Sequence, residues 1–88
     1  MLNNAVVVGR LYDIYDQDHI LLKIPSHREK DKDTIIKIRI VGVMKGNLVK
    51  YCKIGDLIGI KAEFTGIFPD DELLATKVTY LSRNNEEN

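Results

Sequence analysis

The sequence predicts an all-β domain: a five-stranded Greek-key barrel with one short helix between the third and fourth strands. Three observations predict it. Short segments of alternating apolar and polar residues recur along the chain, as is typical of half-buried strands. Turn-forming clusters separate these segments, and only residues 46–53 have the spacing of an amphipathic helix. An open α+β sheet contains the same elements and is the alternative architecture.

The first two strands form a predicted hairpin. Residues 5–8 are apolar and mostly β-branched, and Gly9 predicts a bulge before the strand continues over residues 11–15. The Asp-rich stretch 16–18 is a predicted turn, and residues 19–24 return as the second strand. Asp side chains collect in such turns for backbone reasons, so these acids are not interpreted as a cation site.

The middle of the chain contains a loop, a strand and the helix. Residues 26–33 include no apolar side chain, which predicts a solvated loop. The third strand alternates over residues 35–43, with Ile36, Ile38 and Ile40 predicted to face the core. Gly55 is expected to act as the C-cap glycine of the helix at 46–53.

Two further strands complete the domain. The fourth covers residues 57–64, and its inward side chains are predicted to be Ile58, Ile60, Ala62 and Phe64. The fifth covers residues 73–81, and both of its faces carry apolar side chains. The predicted barrel domain spans residues 1–82, and residues 83–88 form a polar tail.

Length and composition limit the classes of protein that the chain can represent. Its 88 residues and 10.0 kDa form one small domain, for which burial against a second copy would be useful. The single cysteine, Cys52, cannot form an internal disulfide, which favours a reducing compartment. No apolar run is long enough to span a membrane, and the first residues do not resemble a signal peptide. The expected location is therefore the cytoplasm, without a membrane partner.

The sequence offers no pattern for catalysis. His19 and His27 lack a neighbouring cysteine and the spacing of a zinc site. Phosphate-binding glycine loops and a nucleophile elbow are also missing from the sequence. Cys52 is predicted to lie in the core. We therefore expect no enzymatic activity, no catalytic residue, no metal and no cofactor.

Charge is segregated along the chain although the formal net charge is zero. Residues 23–53 contain nine basic side chains against three acidic ones, which gives a net charge of +6 for this segment. The flanking segments are acidic. A polyanion responds to the local field rather than to the total charge, so the middle segment is the candidate for a nucleic-acid interface. The alternative is a solubilising surface.

Two segments resemble the bacterial single-stranded DNA-binding protein family, whose members have the OB-fold. One is the opening Asn3-Asn4-Ala5-Val6-Val7-Val8-Gly9-Arg10-Leu11, and the other runs from Ile35 to Phe64 through Tyr51 and Lys53-Ile54-Gly55-Asp56. The closing strand at 76–82 is similar to that family's last strand. The chain would be a short, divergent member, because it has no Trp and lacks the long tail with an acidic tip.

The resemblance implies a nucleic-acid-binding groove on the third strand. Its expected residues are the cations of the second and third strands and the intervening loop, together with three apolar positions: Lys23, Arg28, Lys30, Lys32, Lys37, Arg39, Ile35, Val41 and Phe68. Lys37 and Arg39 share the outer face of one strand, roughly 6–7 Å apart. The expected ligand is single-stranded DNA, with RNA as an alternative strand, bound without sequence preference in replication, recombination or repair.

The aromatic residues determine how tightly such a groove would hold DNA. Family members stack bases on aromatic rings, whereas Ile35 and Val41 occupy those positions here. Each stacked base contributes roughly 1–3 kcal/mol, so the missing rings imply much weaker binding. Phe68 is the best candidate for stacking, and a hydrophobic plug beneath its loop is the equal alternative. We expect Tyr51, Phe64 and Tyr80 to lie in the core, and one of Tyr12 and Tyr15 to be exposed.

The first strand is predicted to mediate self-association. Val6 and Val8 are predicted to face the core, which would leave Ala5 and Val7 outside on an apolar strand that a second copy could cover. The resemblance implies a dimer or tetramer built on this strand, with Asn4, Ala5 and Val7 at the interface. An alternative function follows: a protein-interaction or assembly module, similar to primosomal proteins, that binds DNA weakly or not at all.

Overall fold

The computed structural model describes residues 3–25 and 32–83, and it contains the predicted elements in the predicted order. The strands are β1 (Ala5–Asp16), β2 (His19–Ile24), β3 (Thr34–Arg39), β4 (Leu57–Thr65) and β5 (Glu72–Ser82). Helix α1 (Gly42–Tyr51) connects β3 to β4. The predicted strands are therefore confirmed, with ends that differ by a few residues.

The five strands form a closed barrel in the order β1-β2-β3-β5-β4. Strand β1 is long enough to pair with β2 through its second half and with β4 through its first half, both antiparallel. The circle closes through a parallel pairing of β3 with β5. This topology confirms the predicted OB-fold barrel, and the open-sheet alternative is wrong.

The barrel interior is filled by aliphatic side chains that alternate along the strands. The fully buried ones include Ile38 of β3 and Ile40 directly after it, as predicted, and Ile58 and Ile60 of β4. Leu48 of α1 is also fully buried, so the helix closes one end of the barrel. Burial of such a side chain contributes roughly 1.5–3 kcal/mol, and this core, which also includes Ile20 and Leu22 of β2, therefore holds β2, β3 and β4 together.

The predicted orientation of β1 is wrong. Val6 and Val8 are exposed, whereas Val7 is half-buried against the core and Ala5 is partly covered. Leu11 determines this phase: it is only 2% exposed, and alternation from it places the odd-numbered residues inside. The predicted bulge at Gly9 is also wrong, because Val8, Gly9 and Arg10 pair in unbroken register with β4.

Helix α1 begins four residues before its predicted start and ends at Tyr51. Gly42, at its first position, has φ +65, a conformation that glycine adopts without strain. Gly55 is not the C-cap residue, since Cys52 occupies that position and donates its backbone N–H to the Leu48 carbonyl. Gly55 instead lies in the following turn, where its N–H bonds to the Leu11 carbonyl at 2.8 Å.

The three aromatic side chains predicted for the core lie at the surface. Tyr51 is 58% exposed, Phe64 is 56% exposed, and Tyr80 is 44% exposed. The pairing of β5 with β4 shifts at Thr76 and the inward face changes from Ala75 to Val78, but Tyr80, near the end of the strand, stays partly exposed. The barrel is narrow, and its aliphatic residues already fill it.

Candidate nucleic-acid interface

The candidate interface lies on the outer surface of β2 and β3, which we call the basic face and define by Lys23, Lys37 and Arg39. Cross-strand register places Lys23 beside Ile35, Leu21 beside Lys37, and His19 beside Arg39. Because the neighbouring Leu22 and Ile38 are fully buried, these six residues point away from the core. The structure thus brings together three of the predicted cations on one surface.

Tyr15 completes the centre of the basic face. Its ring lies under the Lys37 ammonium, with Nζ 5.9 Å from the ring centroid, and 57% of the residue is exposed. A register shift at Tyr12 moves the inward face of β1 from Leu11 to Ile14, so Tyr15 points outward instead of inward. Tyr12 follows the inward Leu11 and also lies outside, so both tyrosines are exposed, contrary to prediction. Sequence alternation does not reveal such bulges, and Tyr15 was therefore not predicted as a site residue.

Arg39 and Lys23 each lie beside a carboxylate. A guanidinium nitrogen of Arg39 lies 3.6 Å from Oε2 of Glu72, and the Lys23 Nζ lies 3.2 Å from Oδ2 of Asp33. Both pairs are partly exposed, so each contributes little free energy. They nevertheless reduce the positive field of the basic face, and Lys37 is its cation without a carboxylate within ion-pair distance among the described residues.

A histidine between two carboxylates borders the basic face. The His19 ring places Nδ1 2.9 Å from Asp16 and Nε2 2.9 Å from Glu72. The hydrogen bond to Glu72 is the main cause that raises the pKa of His19, and the same bond lowers the pKa of Glu72. The pKa of Asp16 is lowered chiefly by the backbone N–H of Asp18. The ring therefore favours its protonated form, in which both nitrogens donate.

The apolar residues predicted for the site are all at the surface. Ile35 and Val41 are about two-fifths exposed, and Phe68 is 85% exposed in the turn between β4 and β5. The alternative role of Phe68 as a plug beneath its loop is therefore wrong. Gly66, with φ +89, and a hydrogen bond from the Asp70 N–H to the Ile67 carbonyl shape this turn.

The other predicted site residues follow β2 in the sequence or lie at the start of β1. Lys32 is exposed, while Arg28 and Lys30 lie outside the described residues. Asn4 is exposed at the start of β1. Its neighbour Asn3 bonds through its side chain to both backbone groups of Phe64, at 2.8 and 3.0 Å, and so extends the pairing of β1 with β4.

Two observations on residues 3–25 and 32–83 concern metal binding and cysteine reactivity. No cluster of three or more potential metal ligands occurs there. Cys52 is buried, as predicted, and burial together with the nearby Asp56 raises the pKa of its thiol to about 11. A thiol with such a pKa is protonated at neutral pH and is a poor nucleophile.

Solved structures of single-stranded DNA-binding proteins have a similar fold over nearly the whole chain. The mitochondrial single-stranded DNA-binding protein Rim1 of S. cerevisiae matches with a TM-score of 0.73 and 16% identity, covering 98% of this chain and 100% of its own. The SSB domain of a Synechococcus protein matches with a TM-score of 0.69 and 17% identity, over 91% of this chain and 97% of its own. This chain is an OB-fold barrel.

A third OB-fold barrel among the matches differs more in sequence. The small single-stranded DNA-binding protein of Streptomyces coelicolor has a TM-score of 0.64 and 7% identity, over 92% of this chain and 94% of its own. Neither a protein-family model nor a curated protein matches the chain. Within the described part of the OB-fold barrel, no helix has the length and apolar character to cross a membrane.

Proposed function

We propose that this OB-fold barrel binds single-stranded DNA without sequence preference, through the basic face and the turn that carries Phe68. The observation that carries the proposal is the pairing of Lys37 with the exposed Tyr15 ring, 5.9 Å apart at the centre of the face. A lysine attracts a phosphate, and an adjacent exposed ring can stack a base. The similarity to solved single-stranded DNA-binding proteins supports the same ligand.

The proposed binding is modest in strength and strongly dependent on salt. Asp33 and Glu72 compete with phosphates for Lys23 and Arg39, because both ion pairs already exist in the free protein. The stacking rings are tyrosine and phenylalanine, and the chain contains no Trp. Contacts to phosphates therefore provide most of the affinity, and RNA would compete with DNA wherever its strand fits the same face.

A fluorescence titration with a labelled oligothymidylate at several salt concentrations tests the proposal. Replacing Lys37 and Arg39 by Ala should flatten the slope of log affinity against log salt by roughly 1.4 units, about 0.7 per phosphate contact. The matched control is Lys61→Ala with Lys77→Ala, which removes two exposed lysines that face each other on β4 and β5. An equal change in both double variants, or no binding by the parent at low salt, would contradict the proposal.

A second candidate function is an assembly module with weak DNA binding, and one observation favours it. Val6, Val8 and Leu81 are exposed on the barrel wall formed by β1, β4 and β5. The side chains of Val8 and Leu81 both approach the space above Gly59, so they form one apolar patch. Such a patch on a small domain is typical of a surface that contacts protein.

The wider biological role remains part of the proposal. We assign the chain to DNA replication, recombination or repair in the cytoplasm, as a homo-oligomer of two or four copies. The exposed valines of β1 support self-association, since contact with a second copy would cover these apolar side chains. Asn4, Ala5 and Val7 are the interface residues predicted from the sequence; because Ala5 and Val7 face the barrel, the outward Val6 and Val8 carry the proposed contact together with the exposed Asn4.

A further inference from the structure

A cavity on the far side of β1 from the basic face is not used by the proposed site. Its volume is about 400 Å³, and its walls include Tyr51, Tyr80, Leu57, Ile58, Leu81 and Arg83. We call it the tyrosine pocket. This volume lies within the range of pockets that hold small ligands, and an apolar floor with a few polar groups is typical of them.

The tyrosine pocket contains hydroxyl groups and a guanidinium group that can bind a polar ligand. Two phenol groups and the Ser82 hydroxyl can donate and accept hydrogen bonds, and Arg83 supplies a guanidinium. Lys50 places its ammonium 5.2 Å from the centroid of the Tyr51 ring. Aromatic rings beside cations suit a planar aromatic group that carries negative charge.

One carboxylate also lines the tyrosine pocket, and its surroundings limit its effect. Asp56 is only 6% exposed, and its Oδ2 accepts a hydrogen bond from the backbone N–H of Lys53 at 2.9 Å. Arg10 lies close to it, with Nη1 2.9 Å from the carbonyl oxygen of the adjacent Gly55. Among the lining residues Arg83 balances this acid, and the Lys50 ammonium beside the Tyr51 ring adds a further cation.

A row of paired residues connects the tyrosine pocket to the basic face. Ile35 pairs with Lys23, Lys23 with Arg10, Arg10 with Leu57, and Leu57 with Ser82. Adjacent strands are about 5 Å apart, so Lys23 and Leu57 are separated by roughly 10 Å across β1. Arg10 is exposed in the middle of this row.

We infer that the tyrosine pocket binds a nucleobase together with its phosphate, with the base against Tyr51 and Tyr80 and the phosphate near Arg83. The nucleotide can be part of a DNA strand that crosses the basic face and passes Arg10, and in that case the inference rests on the proposed function. A free nucleotide presents the same chemistry and is the second source.

Amide NMR spectra of the full chain, recorded with thymidine monophosphate and with a short oligothymidylate, test the inference. We expect the oligonucleotide to shift the amide signals of Tyr51, Tyr80 and Arg83 as well as that of Lys37. Shifts of the pocket signals with the mononucleotide alone identify a free nucleotide as the ligand. If neither probe moves the pocket signals while Lys37 moves, the inference is wrong and the proposed function stands. If only the pocket signals move, the basic face is the wrong surface.

Substitution of Tyr51 provides an independent readout. Tyr51→Leu should weaken oligothymidylate binding about tenfold, the loss of one stacked base, whereas Tyr51→Phe keeps the ring and the affinity. The control is Phe64→Leu, because Phe64 is a ring of similar exposure near the end of β4 and does not line the pocket. Equal losses in Tyr51→Leu and Phe64→Leu, or pocket shifts produced only by a short acidic, aromatic peptide, would overturn the inference.

Discussion

The Nε2 atom of His19 lies 2.9 Å from Oε1 of Glu72, and this contact joins the start of β2 to the first residue of β5. The same ring bonds Asp16 through Nδ1, so it connects three strands at one end of the barrel. Protonation of the ring allows both bonds to be donated to carboxylates at once. The stability of the domain should therefore depend on pH through His19.

Stability is expected to be highest between about pH 4.5 and 6.5. The pKa of His19 is raised from 6.5, so its contribution is complete below that pH and is lost as the pH rises through the folded-state pKa. The pKa values of Asp16 and Glu72 are lowered from 3.8 and 4.5, so their contributions are complete above 4.5 and are lost in acid. Melting temperatures measured by circular dichroism from acid to alkaline pH check this window.

The variant His19→Gln should remove the loss of stability above pH 6.5, because glutamine does not titrate there. His27→Gln, which changes the other histidine of the chain, is the control and should keep the parent's pH profile. A parent whose melting temperature is unchanged between pH 6 and 8 would show that the contact does not affect stability.

Phe68→Ala should separate binding from stability. The ring is 85% exposed, so the free energy of unfolding should change by no more than about 0.5 kcal/mol. Affinity for a labelled oligothymidylate should fall about tenfold if the ring stacks one base. Ile67→Ala, at the neighbouring position and also 85% exposed, is the control and should bind as the parent does.

Gly9 is required by the close approach of β1 to β2. A Cβ atom at Gly9 would lie 2.7 Å from the backbone oxygen of Lys23, which cannot move without disturbing the pairing of β2. Gly9→Ala should therefore destabilise the domain by roughly 1–3 kcal/mol in urea unfolding. At Gly59 the nearest atom lies at 3.6 Å, so Gly59→Ala should leave stability unchanged or raise it by up to about 1 kcal/mol.

Self-association should depend on the outward valines of β1. Replacing Val6 and Val8 together by Lys places like charges on the exposed face and should leave a species of 10.0 kDa in sedimentation velocity at micromolar concentration. The parent should sediment as a dimer or tetramer. Val43→Lys, an exposed position on α1, is the control. A parent that is monomeric under these conditions would contradict the prediction.

The order of elements could be predicted because each strand alternates and each turn has its own residue types. Orientation was harder to predict wherever both faces are apolar. Residues 5–8 carry no polar side chain to mark the outside, and only the burial of Leu11 determines which of them point inward. At Thr76 the inward face changes within one strand, so neither simple alternation of β5 is correct along its length.

The candidate site was predicted in part for similar reasons. Lys37 and Arg39 could be assigned to one outer face because Ile36, Ile38 and Ile40 clearly mark the inner one. Tyr15 could not, because its exposure depends on a bulge that follows from pairing with β2. The carboxylates beside Arg39 and Lys23 come from residues distant in sequence or in a loop, and only the closed barrel brings Glu72 to Arg39.

The parallel junction of β3 with β5 consists of two residue pairs, Ile38 with Leu73 and Arg39 with Leu74, whereas β4 and β5 pair along almost their whole length. Among the described residues, this is the shortest strand pairing of the barrel. Side-chain contacts of Glu72 reinforce this junction: Glu72 of β5 contacts Arg39 of β3 across it and His19 of the neighbouring β2. Local opening that exposes backbone amides to hydrogen exchange should begin there, and it should become more frequent when His19 loses its proton.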